Sequence, residues 1–117
     1  TLLLRISTLA VLCGMLLGIG MAIAQDFTLA PAHAHLNLVG FVLMFLAGLY
    51  YRMVPAAGQG LLAKIQAGLH IAGAVVFPIG IALVVSRGFD YEIYAIIGSL
   101  IVLAAMTLFA IIVFRTS

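Results

Sequence analysis

Four long apolar stretches alternate with three short polar ones along the chain. Residues 2–24 are apolar apart from Arg5 and a few small polar side chains. Further apolar stretches cover about 31–53, 60–86 and 91–114, with polar breaks near 25–29, 55–60 and 87–92. Each run reaches the ~20 residues a helix needs to cross ~30 Å of hydrocarbon. The pattern predicts an all-α, integral membrane four-helix bundle, a single transmembrane domain over 1–117. Loops this short make neighbouring helices antiparallel. Pro31 suits a helix start, where its missing N–H has no partner to lose. Tyr50, Tyr51 and Arg52 form an interfacial helix end. Pro78, flanked by Gly73 and Gly80, predicts a kink in the third helix. The first stretch could be taken for a signal peptide, with Arg5 as its basic end and Ala22-Ile23-Ala24 as an A-x-A site. Its apolar run is longer than a signal core, so it is read as the first span. The chain opens on Thr1 rather than methionine, which predicts a short segment ahead of it.

Composition names the solvent. The chain is 67% hydrophobic and 7% charged, with a mean hydropathy of +1.39, whereas soluble domains carry ~25% charged residues. A soluble core could not hide this much apolar surface, so the partner that covers it is a lipid bilayer. The net charge of +2 comes from five basic residues that sit singly, which excludes a nucleic-acid interface. Arg5, Arg52, Lys64 and Arg115 fall at one set of helix ends. Arg87 falls at the other, with Asp26, Asp90 and Glu92. Positive residues favour the cytoplasm, which predicts both termini inside a bacterial inner membrane, as a multi-pass protein. One cysteine, Cys13, excludes an internal disulfide and a Cys-rich metal framework.

Candidate chemistry concentrates in Pro31-Ala32-His33-Ala34-His35-Leu36-Asn37-Leu38-Val39-Gly40-Phe41. Titratable groups at the mouth of a membrane helix are expensive and usually functional. At 100° per residue, His33 and His35 point about 200° apart. His33 shares a face with Asn37, Gly40, Met44, Gly48 and Tyr51; the glycines there would let a flat macrocycle lie against the backbone. His35 shares a face with Leu38, Val42, Leu46 and Leu49, expected to meet lipid or a partner subunit. Wetted interfacial histidines are the plain alternative for both. His70 lies deeper, ~15 Å from the opposite end at 1.5 Å per residue, on a face with Gln66, Gly73 and Phe77. A hydrogen bond to Gln66 or to a neighbouring helix is the expected role. Counted by depth, His70 is level with Met44 and Cys13. Thiolate, thioether and imidazole are soft copper ligands, which makes these three, or His33 with His35, the copper alternative. Asp26, Asp90 and Glu92 fall in loops, placed to fix a histidine tautomer by a hydrogen bond. Gly14, Gly18 and Ala22 form a small-xxx-small row, a candidate seam for a homodimer or higher homo-oligomer. No nucleophile–base pair, carboxylate pair or phosphate loop is present, so the reading leans away from an enzyme.

The His33–Phe41 stretch resembles the second helix of the catalytic subunit of heme–copper oxidases and nitric oxide reductases. In that superfamily this helix runs inward from the periplasmic side and carries, near its outer end, a histidine that ligates the low-spin heme. Small four-helix proteins of the oxidase subunit I-like kind are similar over most of the chain: they share H-x-H-L-N-L, the ending Tyr51-Arg52-Met53-Val54-Pro55 and a Phe-Pro-x-Gly such as Phe77-Pro78-Ile79-Gly80. Oxidases reading His-x-x-Leu-Asn select His33, and those reading His-x-Asn select His35. The resemblance implies a heme b ligated by His33 or His35, with Asn37 orienting a ligand or propionate and Gly40 giving room. Oxidases also carry a second axial histidine on a late helix, a copper-binding histidine cluster and a high-spin heme. This chain has none of these, so the resemblance implies electron transfer or redox sensing without oxygen reduction. A second axial ligand would come from another copy. The alternatives are a cofactor-free accessory subunit of a respiratory-chain complex and a copper-handling protein.

Overall fold

The computed structural model describes Thr1–Ser117 as helices and connections, with no strand. Four helices are long and apolar enough to cross a membrane: Leu2–Ala24, Ala30–Met53, Leu61–Arg87 and Phe89–Thr116. The last opens with a 3-10 turn at Phe89–Tyr91 and continues as an α-helix over Glu92–Thr116. A one-turn helix, Pro55–Gly58, fills the second connection.

Local chemistry sets the breaks. Gln25 ends the first helix in the left-handed region (φ 53°), and the Asp26 amide reaches back to the Met21 carbonyl at 3.2 Å. This satisfies carbonyls that the helix end leaves open. Pro31 stands in the first turn of the second helix. Gly60 and Gly88 hold φ of 92° and 103° in the last two connections, a conformation a side chain would resist. The third helix runs through Pro78, which is buried.

Polarity is distributed inside out. Leu9, Leu12, Leu16 and Ile19 of the first helix, and Leu100, Leu103 and Phe114 of the fourth, are exposed. The most completely buried large side chains are Met44, His70, Gln66 and Ser7. With hydrocarbon outside, burying an apolar side chain gains little, so close packing and hydrogen bonds must hold the helices together. The third and fourth helices meet almost backbone to backbone. A methyl built on Gly98 would lie 2.5 Å from Phe77 Cα, and one on Gly80 2.5 Å from the Ala95 amide nitrogen. At the Arg52 end, Tyr50 Oη and Thr116 Oγ1 lie 2.8 Å apart. Both Tyr50 and Tyr51 set their rings edge-on to Phe109, at 5.6 and 5.9 Å. These contacts fasten the end of the second helix to the end of the fourth.

The second helix departs from the uniform α-helix expected over 31–53. Leu36–Leu43 is wound as a π-helix, in which each amide bonds five residues back rather than four. The histidine segment Ala30–His35 precedes this wider stretch, and Met44–Met53 follows it as ordinary α-helix.

Candidate functional site

His33 and Asn37 stand one turn apart at the start of the second helix and lie across the glycines of the first. The His33 ring covers Gly18, where an added methyl would sit 3.0 Å from its Cε1. Asn37 covers Gly14 so closely that a methyl there would fall on its Oδ1. Asn37 Nδ2 lies 3.4 Å from His33 Nε2. A carboxamide nitrogen can only donate, so Nε2 accepts and the His33 proton belongs on Nδ1. That leaves His33 Nδ1 and Asn37 Oδ1 buried without partners. Gly14 and Gly18, expected as an intermolecular seam, are thus taken up within the chain, while Ala22 is exposed.

An axial heme ligand must offer a nitrogen lone pair with space for a flat macrocycle around that line. His33 does not have it: one nitrogen faces the Asn37 amide and the other is enclosed. The glycines below it are filled as well. A methyl on Gly40 would lie 3.1 Å from Ala10 Cβ, and one on Gly48 2.9 Å from Leu4 Cδ2. The His33 face is therefore a helix-packing face.

His35 is arranged differently. Its Nδ1 lies 2.7 Å from the Pro31 carbonyl oxygen, which can only accept, so the proton sits on Nδ1 and the lone pair on Nε2. Nε2 has no hydrogen bond in the chain and is not enclosed. The ring meets Phe77 of the third helix edge-on at 4.9 Å. The expectation of lipid or a partner against this whole face needs that amendment. Below His35 the face is as expected: Leu38, Val42 and Leu46 are exposed. An imidazole with Nδ1–H on a backbone carbonyl and Nε2 open is the form that ligates a metal. Of the three imidazoles it alone keeps a lone pair free to hold an iron; neither of the other two is free to add a second.

His70 has both nitrogens engaged. Its Nε2–H donates to the Val39 carbonyl at 3.1 Å, within the π stretch. Its Nδ1 then accepts from Gln66 Nε2 at 3.3 Å. Gln66 Nε2 also donates to the Ala105 carbonyl of the fourth helix at 3.4 Å, and Gln66 Oε1 accepts from Tyr51 Oη at 2.8 Å. Every donor in this Tyr51–Gln66–His70–Val39 chain has an acceptor, and with the Ala105 carbonyl the chain ties three helices together. Both expected kinds of bond are present, to Gln66 and to a neighbouring helix, here through the Val39 carbonyl; Tyr51 joins through Gln66. His70 has no lone pair left for a metal.

Cys13 and Met44 line one apolar cavity of about 400 Å³ between the first, second and third helices. His70 is not among its lining residues, so the three do not form a copper site. No group of three or more His, Cys, Asp or Glu side chains is placed to hold a metal ion. Asp26, in the first connection, binds no histidine. Its Oδ1 accepts from Thr28 Oγ1 at 2.6 Å and from the Thr28 amide at 3.1 Å. These bonds, the hydroxyl first, hold its carboxyl below the ordinary value of 3.8. No family model, curated protein or solved structure matches this chain.

Proposed function

We propose that this is a b-type heme protein of a bacterial inner membrane that carries or senses electrons, with His35 as axial ligand. The observation that carries the reading is the His35 Nδ1–Pro31 bond of 2.7 Å, which fixes the proton on Nδ1 and leaves Nε2 as the unbonded nitrogen. The heme would lie between two copies, each contributing one His35, because no second free imidazole exists in one chain. When bound, it would supply one-electron chemistry. The chain's own part is to fix the ligand tautomer through Pro31 and the ring orientation through Phe77. Four antiparallel helices with both termini in the cytoplasm suit the distribution of Arg5, Arg52, Lys64 and Arg115 against Arg87. That orientation puts His35 at the outer surface.

The test is the absorption spectrum of the purified protein, oxidised and reduced. A low-spin Soret band that sharpens with a split α-band on reduction is expected, lost in His35→Ala and retained in His33→Ala. Colourless protein without iron, or a spectrum surviving in His35→Ala, would overturn the proposal. A second reading has its own support: His33 and His70 are both spent on packing, as in a cofactor-free accessory subunit. It expects His35→Ala to be silent and mild-detergent pull-down to bring out a larger respiratory complex. Stoichiometric copper without heme would replace both readings.

A further inference from the structure

The apolar cavity lined by Cys13 and Met44 does not end in the membrane interior. Leu29, Ile79 and Ala82 line both it and a second cavity of about 620 Å³ at the Arg87 end of the helices. The first is walled almost wholly by aliphatic side chains, and its rim residues Leu9, Val75 and Ile79 are exposed. The second carries Asp26, Thr28, Ser86 and Arg87 among its walls. Together they make one furrow, apolar in the bilayer and charged at its mouth.

The mouth specifies its occupant by elimination. Thr28 Oγ1–H is spent on Asp26, and Ser86 Oγ–H is spent on the Ala82 carbonyl. The charged groups still free to bind are the exposed Arg87 guanidinium, which only donates, and Asp26 Oδ2, which only accepts; the Thr28 and Ser86 oxygens keep acceptor lone pairs that also suit an N–H donor. Arg87 is also the lone cation at this end of the molecule. A matching head group must offer an anion to Arg87 and an N–H cation to Asp26, attached to a chain that fills an aliphatic furrow. We propose that this furrow is a specific site for a phospholipid whose head group pairs a phosphate with a primary ammonium. The phosphate meets Arg87, the ammonium meets Asp26, and one acyl chain lies along Ala82 toward Cys13. A quaternary ammonium head lacks the N–H, and a glycerol head leaves Asp26 facing a net negative charge.

The site does not involve His35, so it stands or falls apart from the heme proposal. The experiment is native mass spectrometry of the full chain reconstituted in equal mixtures of phosphatidylethanolamine, phosphatidylglycerol and phosphatidylcholine. Phosphatidylethanolamine is expected to be the retained lipid. Arg87→Gln is expected to lower its retention about five-fold, the value of one basic contact at a membrane surface. Asp26→Asn is expected to abolish the preference over phosphatidylcholine while retaining lipid. Ala82→Phe narrows the junction and is expected to reduce retention of every lipid, with far-UV circular dichroism confirming intact helices. Equal retention of the three lipids, preference for phosphatidylglycerol, or Arg87→Gln behaving as wild type would overturn the proposal. So would a dimer that excludes added lipid from the furrow, since a second copy would then be its occupant.

Discussion

Replacing His70 with alanine tests the reading of this residue as a structural fastener. The imidazole is 1% exposed. Its Nε2–H meets the Val39 carbonyl at 3.1 Å and its Nδ1 meets Gln66 at 3.3 Å. Hydrogen bonds between membrane helices average ~0.6 kcal/mol and reach about 1.7, so the Val39 bond is worth roughly 1 kcal/mol. Gln66 keeps Tyr51 Oη and the Ala105 carbonyl as partners, so little further loss comes from that side. The ring also leaves a hole among tightly packed neighbours, and large-to-small changes in cores cost about 2–5 kcal/mol. A polar ring surrounded by helices rather than water belongs at the low end of that range. The sum for His70→Ala is about 2–4 kcal/mol, and His70→Leu, which restores most of the volume, costs about 1–2. Both can be read from unfolding in mixed dodecylmaltoside–SDS micelles, followed by far-UV circular dichroism. A double-mutant cycle with Tyr51→Phe should return a coupling of about 0.5–1 kcal/mol through Gln66. If His70→Ala unfolds within about 0.5 kcal/mol of the wild type, as an exposed substitution would, the fastener is refuted.

Four other outcomes follow from the packing and the first connection. Gly98→Ala places its methyl 2.5 Å from the Phe77 backbone, so the third and fourth helices must part, at about 1–3 kcal/mol in the same micelle assay. Gly20→Ala, with nothing within 4 Å, is the control and should fall within about 0.5 kcal/mol of the wild type or above it. Gly14→Ala should turn the Asn37 carboxamide away from the first helix, seen as a shift of the Asn37 side-chain nitrogen and the His33 ring nitrogens in solid-state NMR; unchanged shifts would contradict the contact. Asp26, held below its ordinary value of 3.8 by Thr28, contributes to the first connection above that value and loses the contribution as pH falls through the lowered one. Asp26→Ala should therefore alter the Thr28 amide resonance at neutral pH and converge with the wild type in strong acid, and a difference that widens on acidification would reverse the sign.

The four apolar runs were readable because lipid demands uninterrupted apolar length, and no soluble arrangement competes for such segments. Tyr50, Tyr51 and Arg52 likewise announced a helix end by chemistry alone. What the sequence carries less openly is rotation. His33 and His35 differ by one intervening alanine, yet one lies over Gly18 and the other leaves Nε2 open. Helical spacing separated their faces but did not reveal that the first helix would cover His33. The glycines on the His33 face read as room for a macrocycle because a missing side chain leaves a gap on paper; Ala10 and Leu4 fill it from a helix more than twenty residues away in sequence. The same holds for Gly14 and Gly18, whose spacing fits close approach of any helix, including one in the same chain. Matching Cys13, Met44 and His70 by depth brought two of them to one cavity and missed the third, since depth leaves azimuth free. The π stretch has no proline or glycine pair to announce it, and its Val39 carbonyl is a partner no side-chain motif records.

The winding of Leu36–Leu43 makes the anchorage of His70 depend on a count of residues rather than on any one of them. Relative to an α-helix, a π segment houses surplus chain within the same run. Removing a single residue from it would let the run close into ordinary winding with both flanks still in phase, so His33 and His35 would keep their neighbours at one end and Ala47 and Tyr51 theirs at the other. The wide turn that presents the Val39 carbonyl to His70 would be gone. A one-codon deletion there would cost the molecule its central polar tie, leaving length, hydropathy and topology almost untouched.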